Sequence, residues 1–131
     1  MVPITQDVLS RKHEITTQFL NFLDQHIEDI LSGKVDHTFK IKDFAERLSI
    51  RPTHLSNVIK LTTKRSPQDF LDERLMAEAK MMLSETSMPI SQICNKLAFH
   101  DATNFAKFFK RSEGKTPREY RSQFAALELT H

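Results

Sequence analysis

The stretch AFHDATNFAKFFKRSEGKTPREYR, residues 98–121, sets Phe105, Phe108 and Phe109 beside Lys107, Lys110 and Arg111. Spaced three and four apart, the phenylalanines share one face of a helix that begins near Asp101. Thr103, Asn104 and Lys107 point the other way, and Lys110 and Arg111 flank the exit. An aromatic stripe at this spacing reads as core, with Phe105 and Phe109 at its centre and Phe108 toward its margin. After Gly114 the segment TPREY starts a fresh helix. Thr116 caps its free amides, Pro117 takes the first helical position where a missing N–H costs nothing, and Glu119 stands third, as in a capping box.

The same grammar occurs once before in the chain. Ile41, Ala45, Leu48 and Ile50 fall on Ile90, Cys94, Leu97 and Phe99 at an offset of 49. Leu55, Ile59, Lys60, Ser66, Pro67, Asp69 and Phe70 fall on Phe105, Phe109, Lys110, Thr116, Pro117, Glu119 and Tyr120 at an offset of 50. Each copy holds a short apolar-striped helix, a turn (SIRP or AFHD), a second amphipathic helix, a basic exit and a capped restart. Two helices joined by a three- or four-residue turn follow the helix-turn-helix plan. An α-solenoid would need more copies to stack.

Working outward, SPQDFLDERLMAEAKMMLSE, residues 66–85, joins the copies as one linker helix, rich in good helix formers. At 1.5 Å per residue it spans roughly 30 Å, close to one turn of B-DNA. Upstream, residues 11–32 form an amphipathic helix with Ile15, Phe19, Phe22, Leu23, Ile27, Ile30 and Leu31 on one side and Gly33 as its stop. With two glycines and no sustained apolar/polar alternation, the chain reads as all-α.

The chain has 131 residues, 39% of them hydrophobic and 27% charged, enough for one soluble domain, or two very small ones sharing a core. Up to Lys34 three Lys/Arg stand against five Asp/Glu, and from Val35 on sixteen stand against twelve, so the basic excess lies in the last hundred or so residues, where it could face phosphate. No signal-like or membrane-length apolar run occurs, and the protein reads as cytoplasmic, associated with the nucleoid when bound to DNA. Cys94, the single cysteine, lies on the stripe of Ile90, Ile93 and Leu97, a core position rather than a nucleophile. His13, His26, His37, His54, His100 and His131 form no HxxxH or HExxH pair. A Gly-rich phosphate loop is also missing, so no enzyme, metal or cofactor is expected.

Residues 74–121 resemble the DNA-binding domain of the AraC/XylS family of bacterial transcription regulators. Its linker-helix signature appears as Arg74, Leu75, Ala79 and Leu83, and its next element as Ile90, Ile93, Cys94 and Phe99. Phe105, Phe109 and Lys110, then Pro117, Tyr120 and Arg121, complete the pattern. The likeness extends over roughly residues 35–122. Three positions depart from it: Ala98 replaces a usual turn glycine, Cys94 an alanine and Pro89 a common capping Ser. Ala98 tests the turn most directly, since a positive φ would strain it.

The resemblance implies about seven helices, with residues 1–34 packed on the first unit and 35–131 as the DNA-binding domain. Within it, helix-turn-helix 1 is expected near 40–65, the linker at 66–85, helix-turn-helix 2 near 89–113 and a C-terminal helix near 116–127. It also implies a short, free-standing regulator that binds double-stranded DNA as a monomer at an asymmetric site, with RNA polymerase as a further candidate partner. A dimer through residues 11–32, or a protein-interaction module using that helix, is the alternative. By position in the matching motifs, base contacts fall to Thr53, His54, Ser56, Asn57 and Lys60, and to Ala102, Thr103, Asn104, Ala106 and Lys107. Lys suits guanine O6/N7, Asn suits adenine N6/N7, and Thr or Ala methyls suit thymine. Phosphate contacts are assigned to Arg51, Lys64, Arg65, Ser66, Lys110, Arg111, Lys115, Thr116 and Arg118. RNA is disfavoured, because no sheet offers an aromatic platform.

Overall fold

Apolar residues three and four apart leave a chain only helices to bury them with, and the described residues of a computed structural model form seven. They are α1 (Val2–Leu31), α2 (Ile41–Arg47), α3 (Pro52–Thr63), α4 (Pro67–Glu85), α5 (Ile90–Lys96), α6 (Ala102–Glu113) and α7 (Pro117–Leu129). The structure describes residues 2–129, with side chains from 8 to 124, and no strand occurs among them. Helix α1 starts well before the expected Arg11, and Pro3 falls in its first turn, where proline is tolerated. It stops where Gly33 turns left-handed at φ 82° and donates to the Ile30 carbonyl at 3.1 Å.

Two compact units make up the chain, one of residues 1–28 and 39–73, the other of 29–38 and 74–131. In the first, Ile15, Phe19, Leu23 and Ile27 of α1 are buried, as are Phe44 and Ala45 of α2, Leu55, Val58 and Ile59 of α3, and Leu71 of α4. Phe19 meets Phe44 edge-on at 5.5 Å and Phe70 at 6.5 Å. Thr16 Oγ1 lies 2.7 Å from Thr62 Oγ1, tying α1 to α3 by a hydrogen bond. Buried His26 accepts the Phe39 amide with Nε2 at 2.9 Å and stacks on its ring at 4.0 Å, fixing the entry to α2.

In the second unit Leu75, Met76, Ala79, Met82 and Leu83 of α4 are buried along with Ile93, Cys94 and Leu97 around α5 and all three phenylalanines of α6. Phe108 therefore belongs to the core, where Phe99 lies 5.2 Å away. Phe99 also meets Phe105 at 5.2 Å, and Phe109 meets Tyr120 of α7 at 5.4 Å.

Each unit makes its turn with the same hydrogen bonds. In the first, Ser49 donates to Glu46 and Ile50 donates back to Ala45 at 3.0 and 3.1 Å. In the second, Ala98 donates to Asn95 and Phe99 back to Cys94, both at 3.1 Å. This is the Schellman arrangement, which needs a left-handed residue after the helix, and Ser49 and Ala98 supply it at φ 58° and 62°. The second helices end alike too. Lys64 and Gly114, at φ 66° and 84°, donate to Lys60 and Lys110 at 2.9 and 2.7 Å.

Candidate nucleic-acid interface

Helix α3 begins at Pro52, whose fixed φ suits the first position, after an extended Arg51. With Leu55, Val58 and Ile59 at 0% exposure, the helix has one rotational setting, and it leaves Thr53, His54, Asn57 and Lys60 exposed and Ser56 half-buried. An open groove of about 330 Å³ runs beside them, with Thr53, Ser56, Asn57 and Lys60 on one wall and Ser66, Pro67 and Gln68 of the α4 start on the other. Four of the five residues assigned to bases in this unit thus share one groove with Ser66, and His54 is exposed beside it. Gln68 was not among the sequence-derived contacts. Its register was a usable signal, since it stands 50 residues before Arg118.

Helix α6 repeats the arrangement with a stronger cap. The Asp101 carboxylate accepts the Asn104 amide at 2.7 Å, satisfying one of the free donors of the first turn. Phe105 and Phe109 are fully buried, so Ala102, Thr103, Asn104 and Lys107 are exposed and Ala106 is half-buried. From Arg51 to Lys60 and from Asp101 to Lys110 the order of exposed, half-buried and buried positions is identical. At the far end Glu113 pairs with Lys80 of α4 at 2.7 Å, which ties α6 to its support.

The cations cluster around the helix restarts. In the first unit the Ser66 amide donates to Asp69 at 3.0 Å and Ser66 Oγ accepts the Asp69 amide at 3.1 Å. In the second, Thr116 and Glu119 make the same exchange at 2.9 and 3.1 Å. Both carboxyls are held below their usual range, chiefly by the backbone amide of Ser66 or Thr116, then by its hydroxyl. Lys60 and Arg65 add to this at Asp69, and Lys110 and Lys115 at Glu119, so these cations converge on the capped starts. Arg51, Lys64, Lys110, Arg111 and Arg118 are exposed, and Lys115 is half-buried. Arg65 is held differently. Its guanidinium pairs with Glu73 and lies 4.3 Å from the centre of the Phe70 ring.

Arg121 entered the sequence reading only as the end of a motif, and the structure assigns it a clamp. Its Nε donates to the Leu83 carbonyl at 3.1 Å, and its terminal nitrogen to Met82 and Thr86 at 3.4 and 3.3 Å. These carbonyls lie at and just beyond the C-terminal end of α4, where the last C=O groups of a helix run out of amide partners, although Met82 also accepts the Thr86 amide at 3.2 Å. No sequence pattern announces a contact 35 to 39 residues away.

Cys94 is 2% exposed and its thiol is pushed up by burial and then by the nearby Asp101, so it packs as a small apolar group. Among the described residues no group of His, Cys, Asp or Glu is placed to hold a metal, and His131 lies outside them. No described helix is long and apolar enough to cross a membrane.

Two helix-turn-helix units with matched frames and exposed polar second helices define a DNA-binding protein of the tandem helix-turn-helix class. A family model described as a helix-turn-helix domain matches residues 44–123, and the chain belongs to the AraC/XylS family of transcription regulators, whose DNA-binding domain it contains. The arabinose operon regulatory protein of Escherichia coli (strain K12) is 30% identical over 98 residues, which cover 75% of this chain and 32% of that protein. The chain spans less than half the length of the curated relatives most similar to it. A transcriptional regulator structure from Chromobacterium violaceum, described as having an AraC-type DNA-binding domain, shares the fold at a TM-score of 0.68 and 22% identity over 88% of this chain and 96% of that one. The DNA-binding domain of AdpA, a global transcriptional factor solved in complex with a target DNA, shares it at 0.64 and 15% identity over 81% and 98%.

Proposed function

We propose that this protein regulates transcription by binding a specific duplex DNA site, with α3 and α6 each entering a major groove, in successive turns of the helix. Residues 35–131 make up the binding domain in this reading, and residues 1–34 supply α1, whose Ile15, Phe19, Leu23 and Ile27 buttress its first unit. The observation that carries it is the matched exposure of the two second helices: an apolar stripe at zero exposure locks each one, and its opposite face is polar and open. Thr53, His54, Ser56, Asn57 and Lys60, with Ala102, Thr103, Asn104, Ala106 and Lys107, read base edges. Arg51, Lys64, Lys110, Arg111, Lys115, Arg118 and the starts at Ser66 and Thr116 position the backbone. Arg65 adds to them when it exchanges Glu73 for phosphate.

The binding form is a monomer, because the stripe of Ile15, Phe19, Leu23 and Ile27 on α1 is buried within the first unit. Catalysis has no part in the reading, and RNA polymerase is the further partner it admits. The protein acts in the cytoplasm, on the nucleoid. Selection of bound duplexes from a random pool, followed by salt titration on the winner, tests the proposal. It predicts two enriched half-sites about one helical turn apart and a log K that falls linearly with log salt. A folded protein that enriches no duplex at low salt would overturn it.

A further inference from the structure

The two units share a skeleton, so their exposed residues can be compared position by position. The turn bonds match, the left-handed residues match, and burial runs in the same order along α3 and α6. Any side chain on α3 therefore occupies the same place on its unit as the residue 50 positions later occupies on the other. At two of these places the chemistry is unchanged: Thr53 and Thr103 in the first turn, Lys60 and Lys110 near the exit. Identical side chains at equivalent places do not by themselves distinguish the halves.

Two exposed pairs differ in hydrogen-bonding type, His54 against Asn104 in the first turn and Asn57 against Lys107 in mid-helix, and only in the second does one partner lose its acceptor altogether. Asn57 carries an amide with two donors and an acceptor, whereas Lys107 carries an ammonium with three donors and no acceptor. An amide matches adenine, whose N6 donates and N7 accepts. An ammonium matches guanine, whose O6 and N7 both accept, and it has nothing to offer the adenine amino group. Asn57 also lines the open groove beside Thr53 and Lys60, with no aromatic or acidic side chain on either wall.

We infer that Asn57 and Lys107 are paired specificity determinants that contribute to an asymmetric operator, with adenine favoured at the position facing Asn57 and guanine at the corresponding position facing Lys107. This rests on the DNA-reading role proposed for α3 and α6. The full chain and the variants Asn57→Lys and Lys107→Asn are each put through selection from a random duplex pool. Asn57→Lys is expected to move one position of the first half-site from adenine to guanine, by about fivefold to about 150-fold, with the second half unchanged. Lys107→Asn is expected to do the converse. Asn57→Ala and Lys107→Ala, which delete the head groups, should flatten those same two positions at an unchanged unfolding midpoint. Selected sequences identical to the wild type's, or an even loss across all sequences, would overturn the inference while leaving DNA binding standing. A wild-type chain that selects nothing would instead remove the reading beneath it.

Discussion

Ser49 and Ala98 hold the same left-handed backbone, φ 58° and 62°, at matching places in the two units. Each lets the following residue donate back to its helix, Ile50 to Ala45 and Phe99 to Cys94, both at 3.1 Å. A residue with a Cβ is strained there by about 1 kcal/mol, and glycine is not.

Replacing Ala98 by glycine is expected to stabilise the fold by up to about 0.5 kcal/mol, the relieved strain exceeding the entropy that glycine adds to the unfolded chain. Ala98→Val should destabilise it. Urea unfolding measures both, and a destabilised Ala98→Gly would contradict the account of the turn.

The capped restarts make two predictions. Ser66→Ala and Thr116→Ala each remove an oxygen that accepts an amide at 3.1 Å, and each is expected to cost about 1 kcal/mol. Their partners give the pH dependence. Asp69 and Glu119 have folded pKa values below the ordinary 3.8 and 4.5, chiefly through the Ser66 and Thr116 amides. Their contribution is complete above those ordinary values and fades as pH falls through the folded ones. The wild type should therefore lose stability below about pH 4 more steeply than an Asp69→Asn, Glu119→Gln double variant. Acid titrations of thermal midpoint would instead run parallel for the two proteins if the boxes do not form.

Arg121→Met keeps much of the side-chain volume and removes the three donors to α4. Since Leu83, Met82 and Thr86 then lose a charged partner, a loss of about 1 to 3 kcal/mol is expected. Arg121→Lys should recover only part of it, because an ammonium cannot reproduce the planar fork. Equal stability of Arg121→Met and wild type in urea would remove the clamp.

Salt titration separates the cations. Lys115→Ala should lower the slope of log K against log salt by about one on every duplex. Arg65→Ala should lower it less and cost folding stability as well, because the guanidinium is already paired with Glu73 and stacked on Phe70. A full unit of slope lost on Arg65→Ala would mean the pair opens completely on DNA.

The legible parts of the fold were those written locally. Helix-forming composition marks α4, apolar spacing marks the helices of both helix-turn-helix units, and the Ser66 and Thr116 restarts follow from hydrogen-bond chemistry within four residues. Self-comparison of the sequence carried the duplication, and with it the face of α6 that Phe105 and Phe109 bury. What escaped depends on distance or on weak signals. Arg121 reaches carbonyls on a helix well before it in the chain, and no spacing rule connects them. Arg65 looked like any exit cation until Glu73 and Phe70 were brought beside it by one turn of α4. The early start of α1 was hidden because Val2–Ser10 carries little periodicity, although Pro3 is permitted in a first turn. Gln68 was passed over because it carries no charge, yet its groove position parallels that of Arg118 in the repeat.

The skeleton and the contact surface of this protein are separate inventories. The residues that hold each turn and stripe are apolar or locked in backbone bonds, and Asn57 and Lys107 take no part in that scaffolding. One half of a binding site can accordingly drift in evolution while its twin stays put, a molecular hinge between inherited form and changeable vocabulary.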